Sequence, residues 1–257
     1  MLYTFKSEPF LSDRSDSIRS GKALGAAGRV SIAFTIWACG ATVAQAGAWP
    51  QPPGTTEVIA TAASKRYNSR PEKEFDIYAE HGVSKTWTAI AGVRGWSRLD
   101  SARTFSQVGV RRALKPILGA EIASEARVLH GRDWNECGGW GLESRALAGK
   151  NVDLMGLPLF LDVAVAARSF SDGCAEGRLE ATLGSLKDRG PGFLLQANAE
   201  RIIGGIEIGA ATARGQTQVS IVYGLGSGLK IQAGVRGGFE NTGKREQAVL
   251  VGIWRKI

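Results

Sequence analysis

The chain has 257 residues, of which 44% are hydrophobic and 22% charged, and its formal net charge is +8. Beyond the N-terminal region no apolar run reaches about eighteen residues, which argues against a helical membrane protein. Basic residues are interleaved with acidic ones along the whole chain, so we expect no nucleic acid as a partner.

The N-terminal region has the features of an export signal. Residues 1–29 are polar and include four arginines and lysines near the apolar segment, which runs from Val30 to Val43. Ala44-Gln45-Ala46 supplies the small residues that signal peptidase requires. We therefore predict a signal peptide over residues 1–46, with cleavage after Ala46 and Ala48 as the second choice. An uncleaved anchor and a lipoprotein at Cys39 remain the alternatives.

Residues 47–55 form a proline-rich segment, here called the lead-in. It contains Pro50, Pro52 and Pro53, and proline cannot donate a hydrogen bond within a central strand. We predict that the lead-in lies in the periplasm, before a domain that spans residues 56–257.

The clearest pattern in the chain is a pair of alternating runs between Glu74 and Val93. Phe75 and Ile77 share one side of the first run, whereas Glu74 and Asp76 share the other. This period of two is typical of strands, and the short connection between the runs predicts a hairpin.

Similar alternation recurs to the end of the chain and predicts about twelve strands of roughly ten residues each. Their expected ranges are 56–67, 73–83, 86–96, 102–113, 117–129, 138–148, 157–170, 175–187, 192–202, 216–225, 228–238 and 246–256.

The predicted connections differ in length. Those after the second, fourth, eighth and tenth strands are tight, and residues 149–156 form a longer one. The remaining connections, such as 130–137, 203–215 and 239–245, are longer or more polar. Short periplasmic turns and longer outer loops are typical of outer-membrane barrels. Residues 205–213 fit either a strand or a loop.

The two faces of the strands indicate which side meets lipid. We expect the apolar face to point outward, with interfacial aromatic girdles. The predicted girdle residues are Trp87, Trp140, Phe170, Tyr223, Phe239 and Trp254. The predicted lumen-lining residues are Glu74, Asp76, Glu80, Arg94, Arg103, Arg111, Glu121, Glu125, Arg127, Glu143, Arg145, Asp162, Arg168, Glu176, Arg178, Glu180, Glu200, Lys230 and Arg236.

These lumenal charges have two interpretations. Both signs occur in similar numbers, and an enclosed charge must be paired or meet water. The charges could form a structural network that crosslinks the barrel wall. They could also line a polar channel that selects solutes, in which case the mixture of signs favours a narrow or gated channel over a wide pore.

Two cysteines, Cys137 and Cys174, remain after the predicted leader. Both fall at outer ends of predicted strands, and the cell envelope is oxidising. We predict a disulfide between them. We expect no metal site and no cofactor.

Catalysis has weak support in the sequence. The alternation of its strand assigns His81 to the side that we expect to face lipid. His130 lies near a predicted outer loop, with Asp133 close by in sequence. No serine stands at a spacing that specifies a triad. We therefore predict no catalytic residues, and an outer-membrane hydrolase centred on His130 is a third hypothesis.

Several segments resemble uncharacterised exported outer-membrane β-barrels of Gram-negative bacteria. They are Ala48-Trp49-Pro50, the hairpin Tyr78–Trp87, and the closing segments Leu229–Arg236 and Val249–Ile257. Similar hairpins occur in outer-membrane transport components of aromatic-degradation pathways. The resemblance covers most of residues 48–257 and implies fold and location, without a substrate. Many such proteins end in an aromatic assembly signal, whereas this chain ends in Ile257, so Trp254 is expected to take that role.

The sequence thus predicts an all-β protein with a single closed, antiparallel, up-and-down transmembrane β-barrel. Its expected partners are outer-membrane lipid, the barrel-assembly machinery and an unidentified small solute. The predicted function is a narrow or gated channel. A structural envelope component and a soluble periplasmic lipid-binding barrel are the alternatives.

Overall fold

The computed structural model describes residues 47–68, 70–98, 101–132, 137–204 and 213–257. The predicted signal peptide lies outside these ranges, as does all of the ambiguous segment 205–213 except Ala213. In the described ranges, no helix is long and apolar enough to cross a membrane.

The described residues form twelve strands, most of them close to the predicted ranges. They are β1 (Thr56–Tyr67), β2 (Arg70–Gly82), β3 (Trp87–Arg98), β4 (Ser101–Ala113), β5 (Glu121–Arg132), β6 (Gly138–Leu154), β7 (Leu157–Phe170), β8 (Ala175–Ser185), β9 (Arg189–Gly204), β10 (Ala213–Gly226), β11 (Leu229–Glu240) and β12 (Arg245–Lys256).

The strands close into a single barrel. Each strand pairs antiparallel with the next in sequence, and β1 pairs with β12 to complete the sheet. Closure leaves no unpaired edge, which is what a sheet in lipid requires. The predicted fold class, a closed up-and-down barrel, is confirmed.

The largest differences between the predicted and the observed connections are at the end of β6 and the start of β5. The range 149–156, predicted as a loop, continues β6 as far as Leu154, because its polar residues pair in register with β7 up to Leu154↔Leu157. Met155 and Gly156 then turn the chain with φ angles of 54° and 80°, the left-handed pair that suits a two-residue hairpin turn. Conversely, β5 begins at Glu121 rather than at 117.

The sequence predicts short connections at one end of the barrel and longer ones at the other, but the observed lengths differ little between the two ends. We call the end of the barrel where β1 begins and β12 ends the terminal end, and the other the opposite end. At the opposite end, only two residues separate β1 from β2 and β3 from β4. At the terminal end, residues 114–120 form a longer excursion.

The apolar faces of the strands point outward. Val219, Ile221 and Tyr223 on β10 are exposed, whereas Ser220 and Val222 between them are buried. On β12, Val249, Val251 and Ile253 repeat the pattern. Aliphatic residues on the outside and charged residues inside are the arrangement expected of a barrel surrounded by lipid.

Candidate functional site: the lumen

The lumen carries the predicted charged residues. All the strand residues predicted to line it have inward parity in the structure, and many of them are almost completely buried. Because alternate residues of a strand face opposite sides, twelve strands aim a dense set of ionised groups at one enclosed space.

Glu125 and Glu143 are the centres of the largest charge network. The carboxylate of Glu125 accepts a hydrogen bond from Arg111 Nε at 2.8 Å, and it also pairs with Arg127. Glu143 is 1% exposed and pairs with Arg168. Arg178 Nη1 lies 3.6 Å from Glu143 Oε2. Each buried carboxylate therefore meets several guanidinium groups, from its own strand or from strands nearby.

Arg145 joins these two centres. Its guanidinium lies 3.3 Å from Glu125 and 3.4 Å from Glu143, and it also pairs with Glu180. Arg178 extends the chain of contacts to Glu200 on β9, with a separation of 2.7 Å. The network thus crosslinks the wall from β4 to β9, as the structural interpretation of the lumenal charges requires.

A second network lies where the barrel closes. Arg236 on β11 donates to both carboxylate oxygens of Glu74 on β2, at 3.2 and 2.7 Å. Arg236 also donates to Glu246 at 2.9 Å. Glu246 in turn pairs with Arg214. Lys65 Nζ lies 3.0 Å from Glu72. Contacts from β11 to β2 pass over the β1–β12 seam and hold it closed.

The pair formed by Arg94 and Asp76 is more accessible. Arg94 donates to Asp76 Oδ2 at 2.9 and 2.5 Å, and their side chains are 37% and 26% exposed. Both line a cavity of about 410 Å³ inside the barrel. They are therefore placed to act on a solute within the lumen.

Amide side chains cover the cavity wall formed by β9, β10 and β11. Gln218 donates to Gln196 at 2.8 Å, Asn198 donates to Gln216 at 3.1 Å, and Gln232 donates to Ser220 at 2.9 Å. Neutral amides can donate and accept hydrogen bonds, so this wall suits polar solutes of either sign or none.

The first residues of the lead-in lie inside the barrel at the terminal end, where residues 48, 49 and 51 are buried, whereas residues 52–54 are exposed. Ala48 and Trp49 are 0% and 4% exposed. Gln51 donates through its side chain to Glu57 and Glu80, at 3.1 Å each. These contacts come from the tertiary fold, because the lead-in does not extend the sheet as a strand.

Apolar clusters flank the polar cavity on both sides. The cluster nearer the terminal end packs Trp49 and Trp254 with Phe160, Leu186, Leu194 and Val222. The cluster nearer the opposite end contains Trp96, Phe105, Leu129, Phe170 and both cysteines. Large apolar side chains thus face the lumen on both sides of its charged region.

Two predicted girdle residues lie inside the barrel. Trp254 is 7% exposed and donates from Nε1 to Gln232 at 2.9 Å, and Phe170 is 6% exposed. Their parity explains this, since Ile253 and Ser169 beside them face outward. Trp87, Trp140, Tyr223 and Phe239 are exposed on the outer surface.

Sequence reasoning missed several inward residues. These are Gln51, Glu57, Lys65, Glu72, Arg214, Glu246 and the amide wall. The alternation that located Glu74 also applied to Glu72, and the same signal would have found Lys65 and Glu246. Gln51 precedes the first strand, where no alternation exists to indicate its direction.

The predicted disulfide between Cys137 and Cys174 is present, with Cα atoms 5.6 Å apart. Asp172 supports it by accepting hydrogen bonds from the backbone amides of Gly138, at 2.6 Å, and Cys174, at 3.0 Å. Glu176 lies beside the sulfurs, and the three residues have ligand-type atoms within 4.8 Å of one another. Sulfurs bonded to each other are not thiolates, so this group is not a metal site.

His130 and His81 both lie on the outside of the barrel. The imidazole of His130 packs against Trp140, with ring centroids 4.5 Å apart and ring planes at 49°. His81 Nδ1 lies 2.9 Å from the hydroxyl of Thr56. Asp133, the acidic residue that a dyad with His130 would use, is outside the described residues. Neither imidazole lines the lumenal cavity.

Comparison with known proteins supports the fold. No protein-family model and no curated protein matches the chain. Among solved structures, the NanC porin is similar with a TM-score of 0.61 at 11% identity, covering 78% of this chain and 100% of that one. An outer membrane channel from Pseudomonas putida F1 has a TM-score of 0.57 at 11% identity, covering 82% and 98%.

LpxR from Salmonella typhimurium is also similar, with a TM-score of 0.52 at 7% identity, covering 77% of this chain and 99% of that one. At such identities the likeness concerns the backbone alone. The chain therefore has the fold of the outer-membrane β-barrels, porins and channels among them.

Proposed function

We propose that this protein is a narrow outer-membrane channel for small polar solutes. The observation that carries the proposal is the polar cavity of about 410 Å³ enclosed by an outward-facing apolar barrel. A barrel with only a structural role has no need of an accessible ion pair such as Arg94–Asp76 in its lumen. The porin and channel named above lend support through their shared fold.

The flanking apolar clusters make the proposed channel a narrow one. Trp49 and Trp254 at one side, and Trp96 and Phe105 at the other, are large side chains that face inward. Ions and small solutes must pass them to reach the charged region. Discrete, small conductance steps are the expected behaviour, without a large open pore.

We also propose that the protein is exported and lies in the outer membrane. The outward aliphatic face fits the outer membrane of a Gram-negative bacterium, with the terminal end in the periplasm, and residues 1–46 have the features of a cleaved leader. No catalytic step is part of the proposal, since both described histidines lie on the outside of the barrel.

Ion selectivity tests the channel role. Asp76→Asn leaves the Arg94 cation uncompensated and should favour anions, whereas Arg94→Gln leaves the Asp76 anion and should favour cations. One unit charge a few ångströms away in water contributes about 1 kcal/mol. We therefore expect the K⁺/Cl⁻ permeability ratio to change roughly two- to fivefold, in opposite directions.

The measurement is the reversal potential across a planar bilayer under a KCl gradient. Lys85→Gln, in the turn between β2 and β3, is the matched control and should leave the ratio unchanged. Absence of conductance in the wild-type protein would reject the channel and favour the structural envelope role. Equal ratios in all variants would also reject it.

A further inference from the structure

The backbone at Gly47 lies directly against the carboxylate of Asp162. A Cβ atom at position 47 would overlap that carboxylate, and Gly47 has a φ of 80°, a conformation that side-chain-bearing residues rarely adopt. Only glycine fits this position. The glycine at position 47 therefore allows the lead-in to approach β7 this closely.

Asp162 has a buried carboxylate oxygen that can accept a further hydrogen bond. The side chain is buried, with 8% of the residue exposed, and it accepts a hydrogen bond from the backbone amide of Ala48. Its Oδ1 atom has no hydrogen-bond partner within the described residues. A buried carboxylate oxygen without a donor is costly. The Oδ1 atom can therefore accept one further hydrogen bond, and a cationic donor suits the carboxylate best.

The charged groups that act on Asp162 come from the surrounding strands. Arg111 on β4 and Arg145 on β6 attract it, and Glu180 on β8 opposes them. Both arginines also pair with other carboxylates, Arg111 with Glu80 and Glu125, and Arg145 with Glu180. On the adjacent strands, the residues directly opposite Asp162 are Gly149 and Thr182, neither of them charged.

We propose that the mature chain begins at Gly47 and that its α-ammonium group forms an ion pair with Asp162 inside the lumen. The inference rests on the export proposed above and is independent of channel activity. Cleavage after Ala46 turns the nitrogen of Gly47 into an ammonium group with three N–H donors. This group lies beside the Asp162 carboxylate, whose Oδ1 atom can accept a further hydrogen bond. The pair then fixes the lead-in in the mouth of the barrel.

The contacts of Ala48 favour cleavage after Ala46 over the second predicted site, after Ala48. Cleavage after Ala48 would remove a residue that is 0% exposed and packs with Ala123, Leu147 and Ala164. It would also remove the amide that donates to Asp162. Cleavage after Ala46 retains both contacts.

The first test is the intact mass and N-terminal sequence of the protein purified from the outer membrane of a Gram-negative host. A chain that begins at Gly47 supports the proposal. A chain that begins at Trp49, or one that retains the leader, overturns it. This test uses the wild-type protein and does not depend on a variant that folds.

The second test is the rate at which acetic anhydride acylates the α-amine, relative to the lysines of the same molecule. An ion pair keeps the amine protonated and unreactive, so Asp162→Asn should raise this relative rate by up to about tenfold. The control is Asp76→Asn, which removes a lumenal carboxylate that pairs with Arg94. This variant should leave the relative acylation rate of the α-amine unchanged. Equal rates in the wild type and Asp162→Asn would refute the pair, even if the chain begins at Gly47.

Discussion

The indole of Trp49 meets the ring of Phe160 edge to face, with centroids 6.3 Å apart and ring planes at 86°. Trp49 precedes the first strand, whereas Phe160 belongs to β7, so this contact places the lead-in across the lumen. Such aromatic pairs contribute about 1 kcal/mol beyond their buried area. Trp49, which is 4% exposed, therefore anchors the lead-in to the barrel wall.

Trp49→Ala should therefore enlarge the conductance of the channel. Truncating a buried tryptophan costs about 3 to 5 kcal/mol, which is enough to release the lead-in from the wall. The measurement is single-channel conductance in a planar bilayer. Trp87→Ala is the control, since Trp87 faces outward and stacks on Arg112 at 5.5 Å. A conductance equal to that of the wild type would show that the lead-in does not restrict the passage.

Glu143→Gln should destabilise the barrel. Glu143 neutralises Arg168 and Arg178 in a buried setting, and removing one partner of a buried ion pair costs about 3 to 5 kcal/mol. The measurement is unfolding in urea from lipid vesicles, followed by tryptophan fluorescence.

Glu121→Gln provides the comparison for Glu143→Gln. Glu121 also faces inward but is only partly buried, at the first position of β5, so its change should shift the free energy of unfolding by less than about 1 kcal/mol. Similar losses in both variants would mean that the network around Glu143 has no special structural importance.

Reduction of the disulfide should lower stability. The bond closes a loop between residues 37 apart in sequence, for which chain entropy predicts a contribution of about 4 kcal/mol. We expect Cys137→Ser with Cys174→Ser to reproduce the effect of a reductant. Thiol labelling of the folded, oxidised protein should be undetectable, and rapid labelling without reductant would show that the bond is absent.

An arginine on the outer face should be costly only at mid-depth. Val219 lies near the middle of β10 and is 54% exposed, whereas Leu225 lies close to the terminal end and is 52% exposed. In lipid, Val219→Arg should cost about 2 to 4 kcal/mol and Leu225→Arg at most about 1 kcal/mol. Equal, small costs measured by unfolding from vesicles would indicate that this face meets water.

Sequence alternation predicted the strands well because a closed barrel imposes the same constraint on every strand. Once Val251 and Ile253 are assigned to lipid, Trp254 must face the lumen; the girdle prediction for Trp254 followed residue type instead of parity. Phe170 was misplaced for the same reason, since it shares its parity with Arg168.

The lead-in could not be placed from sequence, because its position depends on contacts with strands far away in the chain. Prolines in this segment indicated only that it does not pair as a central strand. The contacts of Trp49 with Phe160, and of Gln51 with Glu80, follow from barrel closure, which brings β2 and β7 around the same space. No local pattern encodes such contacts.

The most direct test of the central claim, that the aliphatic face meets lipid and the charged face encloses the lumen, is fractionation of cells that produce the protein, followed by alkaline carbonate extraction of their membranes. We expect the protein in the outer-membrane fraction, resistant to carbonate and released only by detergent. Recovery in the soluble fraction without detergent would contradict the membrane assignment and favour a soluble periplasmic barrel.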